Sequence, residues 1–285
     1  MNKQVNDFIS YLNAIKSIKS NLKDDELLFF RGVSDNSFKT VPGVYWDKSI
    51  NENEIYHNLI LEYPEEFDSK HNHLDTLTKM QHYGLATRLI DLSGNILTSL
   101  YFATQSKKDK DGVVQVYKVK KKDVLLHDSD KVLMLSCLPV FDRSTQNEIK
   151  SFCENHTDRI NENNIRFNNS MIRFLHEVRG EYPAFECAII GEDLLNSYFV
   201  RANKSNQRMK VQDGYFIICG LDQFNLERLI EKHKVYDLII PSNIKKQLLE
   251  DLKLMGIHDD TIYPDIERTS LYLRNKKLKW EDLDE

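Results

Sequence analysis

A chain of 285 residues with 41% apolar and 10% aromatic side chains has enough hydrophobic material for one large packed domain, which excludes wholesale disorder. Its formal charge of −5 argues against a protein that grips polyanions over its whole surface. The four cysteines, Cys137, Cys153, Cys187 and Cys219, form no Cys-x-x-Cys pair, so they read as reduced, mostly buried thiols rather than a zinc ribbon or dithiol site.

The first residues lack the apolar stretch of a secretion signal. No apolar run approaches the roughly 20 residues that span a bilayer. A soluble, cytoplasmic chain without a membrane partner is the expectation. Val5, Phe8, Ile9, Leu12, Ile15 and Ile18 recur at helical spacing, predicting an amphipathic N-terminal helix within residues 1–24. Leu27–Phe30 is a short apolar run suited to a buried strand, ending at Arg31-Gly32. Residues 33–50 contain Pro42-Gly43 and read as loop. Helices are predicted over Glu52–Phe67, interrupted by Pro64, and over Leu74–Tyr83, with Gly84 as its C-terminal stop.

Thr87–Leu92 reads as a brief strand, followed by a helix to Thr104 that Ser93 or Asn95 would cap. Val113–Val119 is a strand after the Asp111-Gly112 turn. Residues 120–164 show weak periodicity and read as an insertion or partly ordered arm. A helix Asn169–Val178 is predicted to stop at Gly180, with strands near Phe185–Ile190, Tyr215–Cys219 and Tyr236–Ile240. Ser242 would cap a helix Ile244–Met255, which Gly256 closes. The elements lack the regular β-α-β spacing of a doubly wound sheet, and the predicted class is α+β, a mixed, mainly antiparallel sheet core with surrounding helices.

Several residues invite chemistry. Arg31 at a strand end is suited either to a bound phosphate or to a carboxylate that covers the core edge. Arg88 and Asp91, three apart, are able to satisfy each other. His82 has the pKa range of an acid–base group, against a packing or capping role. His71-Asn72-His73 has a ligand spacing, but no cysteine is nearby in sequence and no metal is expected. The lysine clusters Lys118–Lys122 and Asn275–Lys279 read as solvated faces. There is no P-loop and no Gly-x-Ser-x-Gly elbow.

The stretches Phe30-Arg31-Gly32, Met80-Gln81-His82-Tyr83-Gly84-Leu85-Ala86-Thr87-Arg88-Leu89-Ile90-Asp91 and Leu100-Tyr101-Phe102-Ala103 resemble the FRG-domain family of bacteria. Arg208-x-x-x-Gln212-x-Gly214-x-Phe216 and Tyr263-Pro264-Asp265 extend the likeness. It implies an FRG domain over residues 25–275, least matched at about 105–200, with a charged tail at 276–285. The sequence departs from the family at Ala86, where proline is typical, and at Leu92, where tryptophan is typical. The resemblance also implies association with mobile and defence-linked loci.

The order of parts is similar to that of mono-ADP-ribosyltransferases, which implies an ADP-ribosyltransferase-like fold and NAD as substrate. On that comparison Arg31 holds the pyrophosphate, Gly32 lets the backbone approach, Tyr83 stacks on nicotinamide, and Thr87 or Ser93 supplies the supporting hydroxyl. Arg88 and Asp91 complete the expected cofactor-binding set. Gln212 falls where a glutamate is usual and, with His82, forms the expected catalytic pair. A neutral amide stabilises an oxocarbenium centre poorly. Asp91, Asp213 or Glu186 would then carry the charge, or the chain binds a nucleotide or partner without turnover. Expected roles are a toxin or phage-defence effector acting on a protein or nucleic acid.

Overall fold

The computed structural model describes residues 2–47, 49–67, 72–187, 189–201, 203 and 207–264, the side chain of Arg208 excepted. The tail at 276–285, the lysine cluster at 275–279, Asp265 and His71 lie outside the described residues. Strand β1 (Asn2–Gln4) leads to helix α1 (Phe8–Lys19). Asp7 caps α1 by accepting from the Ser10 amide at 2.6 Å, satisfying one of the free donors at its start. Strand β2 (Glu26–Val33), helices α2 (Glu52–Glu62) and α3 (His73–His82), strand β3 (Leu89–Ser93), helix α4 (Ile96–Thr104) and strand β4 (Gly112–Lys120) follow. Helix α2 stops two residues before Pro64, whose ring disfavours a helical predecessor. Gly84, at φ +78°, turns the chain out of α3 as expected.

The stretch read as an arm is ordered. It comprises β5 (Val124–Leu126), α5 (Asp130–Cys137), α6 (Arg143–Asn155), β6 (Arg159–Ile160) and the start of α7 (Glu162–Ile165). Helix α8 (Asn169–Glu181), strand β7 (Ile189–Ile190) and helix α9 (Gly191–Leu195) come next. Helix α8 runs through Gly180, which therefore does not stop it. The remainder is β8 (Tyr198–Arg201), α10 (Gln207–Val211), β9 (Gly214–Ile218), α11 (Gln223–His233), β10 (Lys234–Ile240), α12 (Lys245–Leu254) and α13 (Asp259–Ile262). Two caps differ from expectation. Asn95, not Ser93, caps α4 by accepting from Leu97 N at 2.9 Å. Ser242 opens a short 3-10 turn, and α12 begins after it without a side-chain cap.

Eight strands form one sheet in the order β1-β10-β4-β2-β3-β9-β8-β5, with β6 and β7 paired separately. The outermost pairings, β1 with β10 and β5 with β8, are parallel, and the rest are antiparallel. The class is α+β as the sequence predicts, a mixed and mainly antiparallel sheet with helices around it. Its two halves differ in how they are joined. Strand β2 pairs with β4 along its whole length, and β3 pairs with β9 from Leu89 to Ser93. Between β2 and β3 there is a single pair, Phe30 with Ser93. The sheet splays at that seam.

Period-two alternation divides the strand residues between apolar layers. Val114 and Val116 of β4, Phe30 of β2 and Leu238 and Ile240 of β10 face helices α1, α4 and α12. Tyr117, Val119, Phe29, Ile90, Leu92 and Ile217 face the other way, toward α11. The third layer joins Leu89, Phe216 and Ile218 to α3, α5, α6 and α8 through residues such as Leu77, Met134, Leu135, Ile149 and Phe174. No helix among the described residues is long and apolar enough to cross a membrane.

Candidate functional site

A cleft of about 980 Å³ opens at the seam, with Arg31, Gly32 and Val33 of β2 on one side and Leu89–Ser93 of β3 with Gly214–Phe216 on the other. Its volume falls in the range of ligand pockets. Aromatic side chains are prominent in its wall: Phe38, Tyr45 and Trp46 from the β2–α2 connection, Tyr215 from β9, and Phe102 and Tyr263. Trp46 and Phe38 are 69% and 47% exposed, unusual for rings of that size and suited to stacking on a planar ligand.

Arg31 is half-buried and donates from Nη1 to Gln115 Oε1 at 3.3 Å. That amide oxygen also accepts from Thr40 Oγ1 at 2.9 Å and Tyr117 Oη at 3.0 Å. Gln115 therefore orients the guanidinium without neutralising it. Burial draws the pKa of Arg31 down, while Tyr117 and Asp91 pull the other way. A guanidinium so placed still carries its charge at neutral pH.

Gln212 reaches the same cleft from the turn between α10 and β9. Ser93 Oγ donates to the Gln212 carbonyl, and Gly94 N donates to the Asp213 carbonyl at 2.8 Å, clamping this turn to the β3–α4 corner. The fit is close: a Cβ on Gly94 would lie 2.0 Å from Asp213 Oδ2. Asp213 itself sits at φ +45°, a left-handed conformation in which Asp is several-fold enriched. The Gln212 amide is already engaged, donating from Nε2 to the Ile262 carbonyl at 3.0 Å. Gln81, Asp91 and Gln212 line the cleft and, with His82, a small adjoining hollow. Gln81 Nε2 donates to Asp91 Oδ2 at 3.0 Å, and its oxygen accepts from Thr87 Oγ1.

The structure thus brings together Arg31, Asp91, Gln212 and, through the adjoining hollow, His82. Gly32 and Ser93 also line the cleft, whereas Thr87, Tyr83 and Arg88 do not. Thr87 is fully buried and contributes by fixing Gln81, outside the cleft wall. Tyr83 is exposed, its ring edge-on to His82 at 5.3 Å, and is not in the wall either.

Gly32 does line the cleft, but the place of its missing Cβ is taken by protein: a Cβ there would meet Ser99 O at 1.8 Å. Glycine is required because the α4 backbone lies directly on β2. Arg88 is buried completely and pairs with Glu52, not Asp91. Its Nε donates to Glu52 Oε1 at 3.0 Å and its Nη2 to Oε2, with further bonds to Gln146 Oε1 at 3.2 Å and Cys219 O at 3.4 Å. Burial lowers the pKa of Arg88, but Glu52 leads the charges that outweigh it and leave it raised. This residue ties α2, β3, α6 and the end of β9 together.

Asp213 and Glu186, the other acids considered, are not in the cleft wall, whereas Asp91 and Glu227 are. Sequence reasoning missed Gln81, Tyr45, Trp46, Glu227 and Tyr263. Gln81 and Tyr263 stand inside the family-like stretches, and that was a usable signal. Tyr45, Trp46 and Glu227 carried none, since only folding brings the loop after β2 and the face of α11 to the seam.

Searches of curated proteins and of solved structures return no match to this chain. The family model described as the FRG domain matches residues 26–112. The matched segment runs from the first residue of β2 to the first of β4. It contains Arg31, the Arg88–Glu52 pair and the Gln81–Asp91 pair, while Gln212 and Tyr263 come from beyond it. With Phe-Arg-Gly closing β2 and the Met80–Asp91 block forming the opposite side of the seam, this chain carries an FRG domain in residues 26–112.

Proposed function

We propose that the seam cleft binds NAD or a closely related nucleotide and that the chain is an ADP-ribosyltransferase-like enzyme with a protein or nucleic-acid target. The observation that carries this reading is the position of Arg31, a half-buried guanidinium in an aromatic-walled cleft that also holds Asp91 and Gln212. A fork of N–H donors suits a pyrophosphate, and exposed rings suit a base. In a transfer step the glycosidic bond breaks, nicotinamide leaves with the bonding electrons, and the acceptor nucleophile adds to the ribosyl carbon. Asp91 is the acid offered for the positive charge of that centre. His82 is offered as the base for the acceptor proton.

A second reading, nucleotide or partner binding without turnover, is favoured by the Gln212 amide, which is neutral and already bonded to Ile262. The two separate experimentally. Calorimetry with NAD and ADP-ribose measures binding, and labelled NAD with cell lysate measures transfer and nicotinamide release. Transfer and nicotinamide release that disappear in Asp91→Asn chains, with NAD binding retained, support the enzyme. Binding lost in Arg31→Ala with no product from any chain supports the binding module. Flat titrations with both ligands overturn the nucleotide proposal altogether.

A further inference from the structure

At the start of α3, the end away from Gln81, three potential metal ligands from three helices converge, with a fourth carboxylate beside His73. His73 is the first residue of α3, Cys137 the last of α5, and Glu177 and Glu181 stand one turn apart on α8. The donor atoms of His73, Cys137 and Glu181 lie within 4.8 Å of one another. His73 Nε2 is 3.2 Å from Glu177 Oε1 and 3.5 Å from Glu181 Oε2. Tetrahedral zinc with ordinary bond lengths sets its nitrogen and oxygen ligands roughly 3.3–3.5 Å apart. The two histidine–carboxylate distances are therefore those of ligands around one ion, and the Cys137 thiol lies within 4.8 Å of the His73 and Glu181 donors.

Two further features point the same way. The other ring nitrogen, Nδ1, is 2.7 Å from the hydroxyl of Tyr56, a buried residue. That contact fixes the ring and leaves Nε2 as the nitrogen turned to the carboxylates, the usual outer-shell support of a metal-bound histidine. The Cys137 thiol is completely buried and is not in a disulfide. The sequence argument against a metal, that no cysteine is near His73, fails in three dimensions, because α5 packs its last residue against the start of α3.

We propose that His73, Cys137, Glu181 and Glu177 bind one zinc ion, a structural site that is independent of the nucleotide reading. Mixed nitrogen, sulfur and oxygen donors in a half-buried, four-ligand set suit zinc better than calcium or magnesium, which take oxygen ligands. The ion would staple α3, inside the FRG segment, to α5 and α8 beyond it. Helix α3 carries Gln81 eight residues on, roughly 12 Å along its axis, so the staple also steadies the helix that presents Gln81 to the cleft. The rival occupant is a proton. A protonated His73 held between the two glutamates satisfies the same contacts but gives Cys137 no part.

The test uses the full chain purified without chelator. Elemental analysis is expected to find about one zinc per chain. Metal-stripped protein titrated with cobalt should give tetrahedral visible bands and a thiolate-to-cobalt band in the near ultraviolet. Cys137→Ala should abolish the thiolate band, and Tyr56→Phe, which removes no ligand, should weaken zinc binding about 10- to 100-fold. A wild-type chain that holds no zinc and gives no cobalt spectrum overturns the site, even where the variants fail to fold. A thiolate band unchanged in Cys137→Ala overturns it as well.

Discussion

Two arginines of this chain sit near strand ends in similar sequence settings and do opposite things. Arg88 has its charge met at short range by Glu52 inside the protein, so deleting either partner strands a buried charge. Arg88→Met or Glu52→Gln is expected to cost about 3–5 kcal/mol in chemical denaturation; a loss below about 1 kcal/mol would put the pair in the class of exposed bridges. Arg31 has a neutral amide for its hydrogen-bond partner and a cleft beside it. Arg31→Ala should shift the denaturation midpoint little while weakening nucleotide binding about 10- to 100-fold, the worth of a hydrogen bond to a charged group. Gly32→Ala belongs with Arg88 in kind. Its Cβ would run into the Ser99 carbonyl at 1.8 Å, and backbone has little room to yield. We expect a destabilisation of about 1–3 kcal/mol or more, read as lost soluble yield or a lower melting temperature.

Among the elements, helix α8 offers a sharp check because sequence and structure disagree about it. Gly180 reads as a helix stop, yet α8 continues through Glu181, and a Cβ on Gly180 meets nothing within 4 Å. Gly180→Ala should therefore stabilise by about 0.5–1 kcal/mol, whereas at a left-handed stop it would destabilise. Helix α6 supplies a second check at its start. Asp142 accepts from Thr145 N at 2.7 Å, and this bond leads the effects that hold its carboxyl below the usual range. A folded pKa below the unfolded one means the stabilisation is complete above the ordinary carboxylate pKa and fades as pH falls through the lower folded value. Asp142→Ala is expected to cost about 1 kcal/mol at neutral pH and progressively less in acid, while Asp142→Asn, also a good cap, costs a few tenths.

At the scale of the whole molecule the FRG segment is not a self-sufficient unit. Its strand β2 needs β4, its strand β3 needs β9, its helix α3 packs on α5 and α8, and Arg88 bonds to Gln146 of α6. Residues 26–112 produced alone should show no cooperative unfolding transition and poor amide dispersion in NMR spectra. A well-dispersed spectrum from that fragment would contradict this account of the core.

Local chemistry was enough to read the α+β class, most of the strands of the main sheet, the glycine stop at Gly84 and the two arginine-bearing stretches, because alternation, capping and chain reversal act between residues near in sequence. The helices at 130–155 escaped, since α6 buries mainly Ile149 and Cys153 beneath an otherwise polar helix and its partners lie far along the chain. Only the tertiary structure decided which arginine is buried with a carboxylate and which faces a cleft, that Thr87 acts through Gln81, and that Cys137 meets His73. Each of those outcomes depends on where a distant element packs, and the identity of a residue does not specify what will be folded against it.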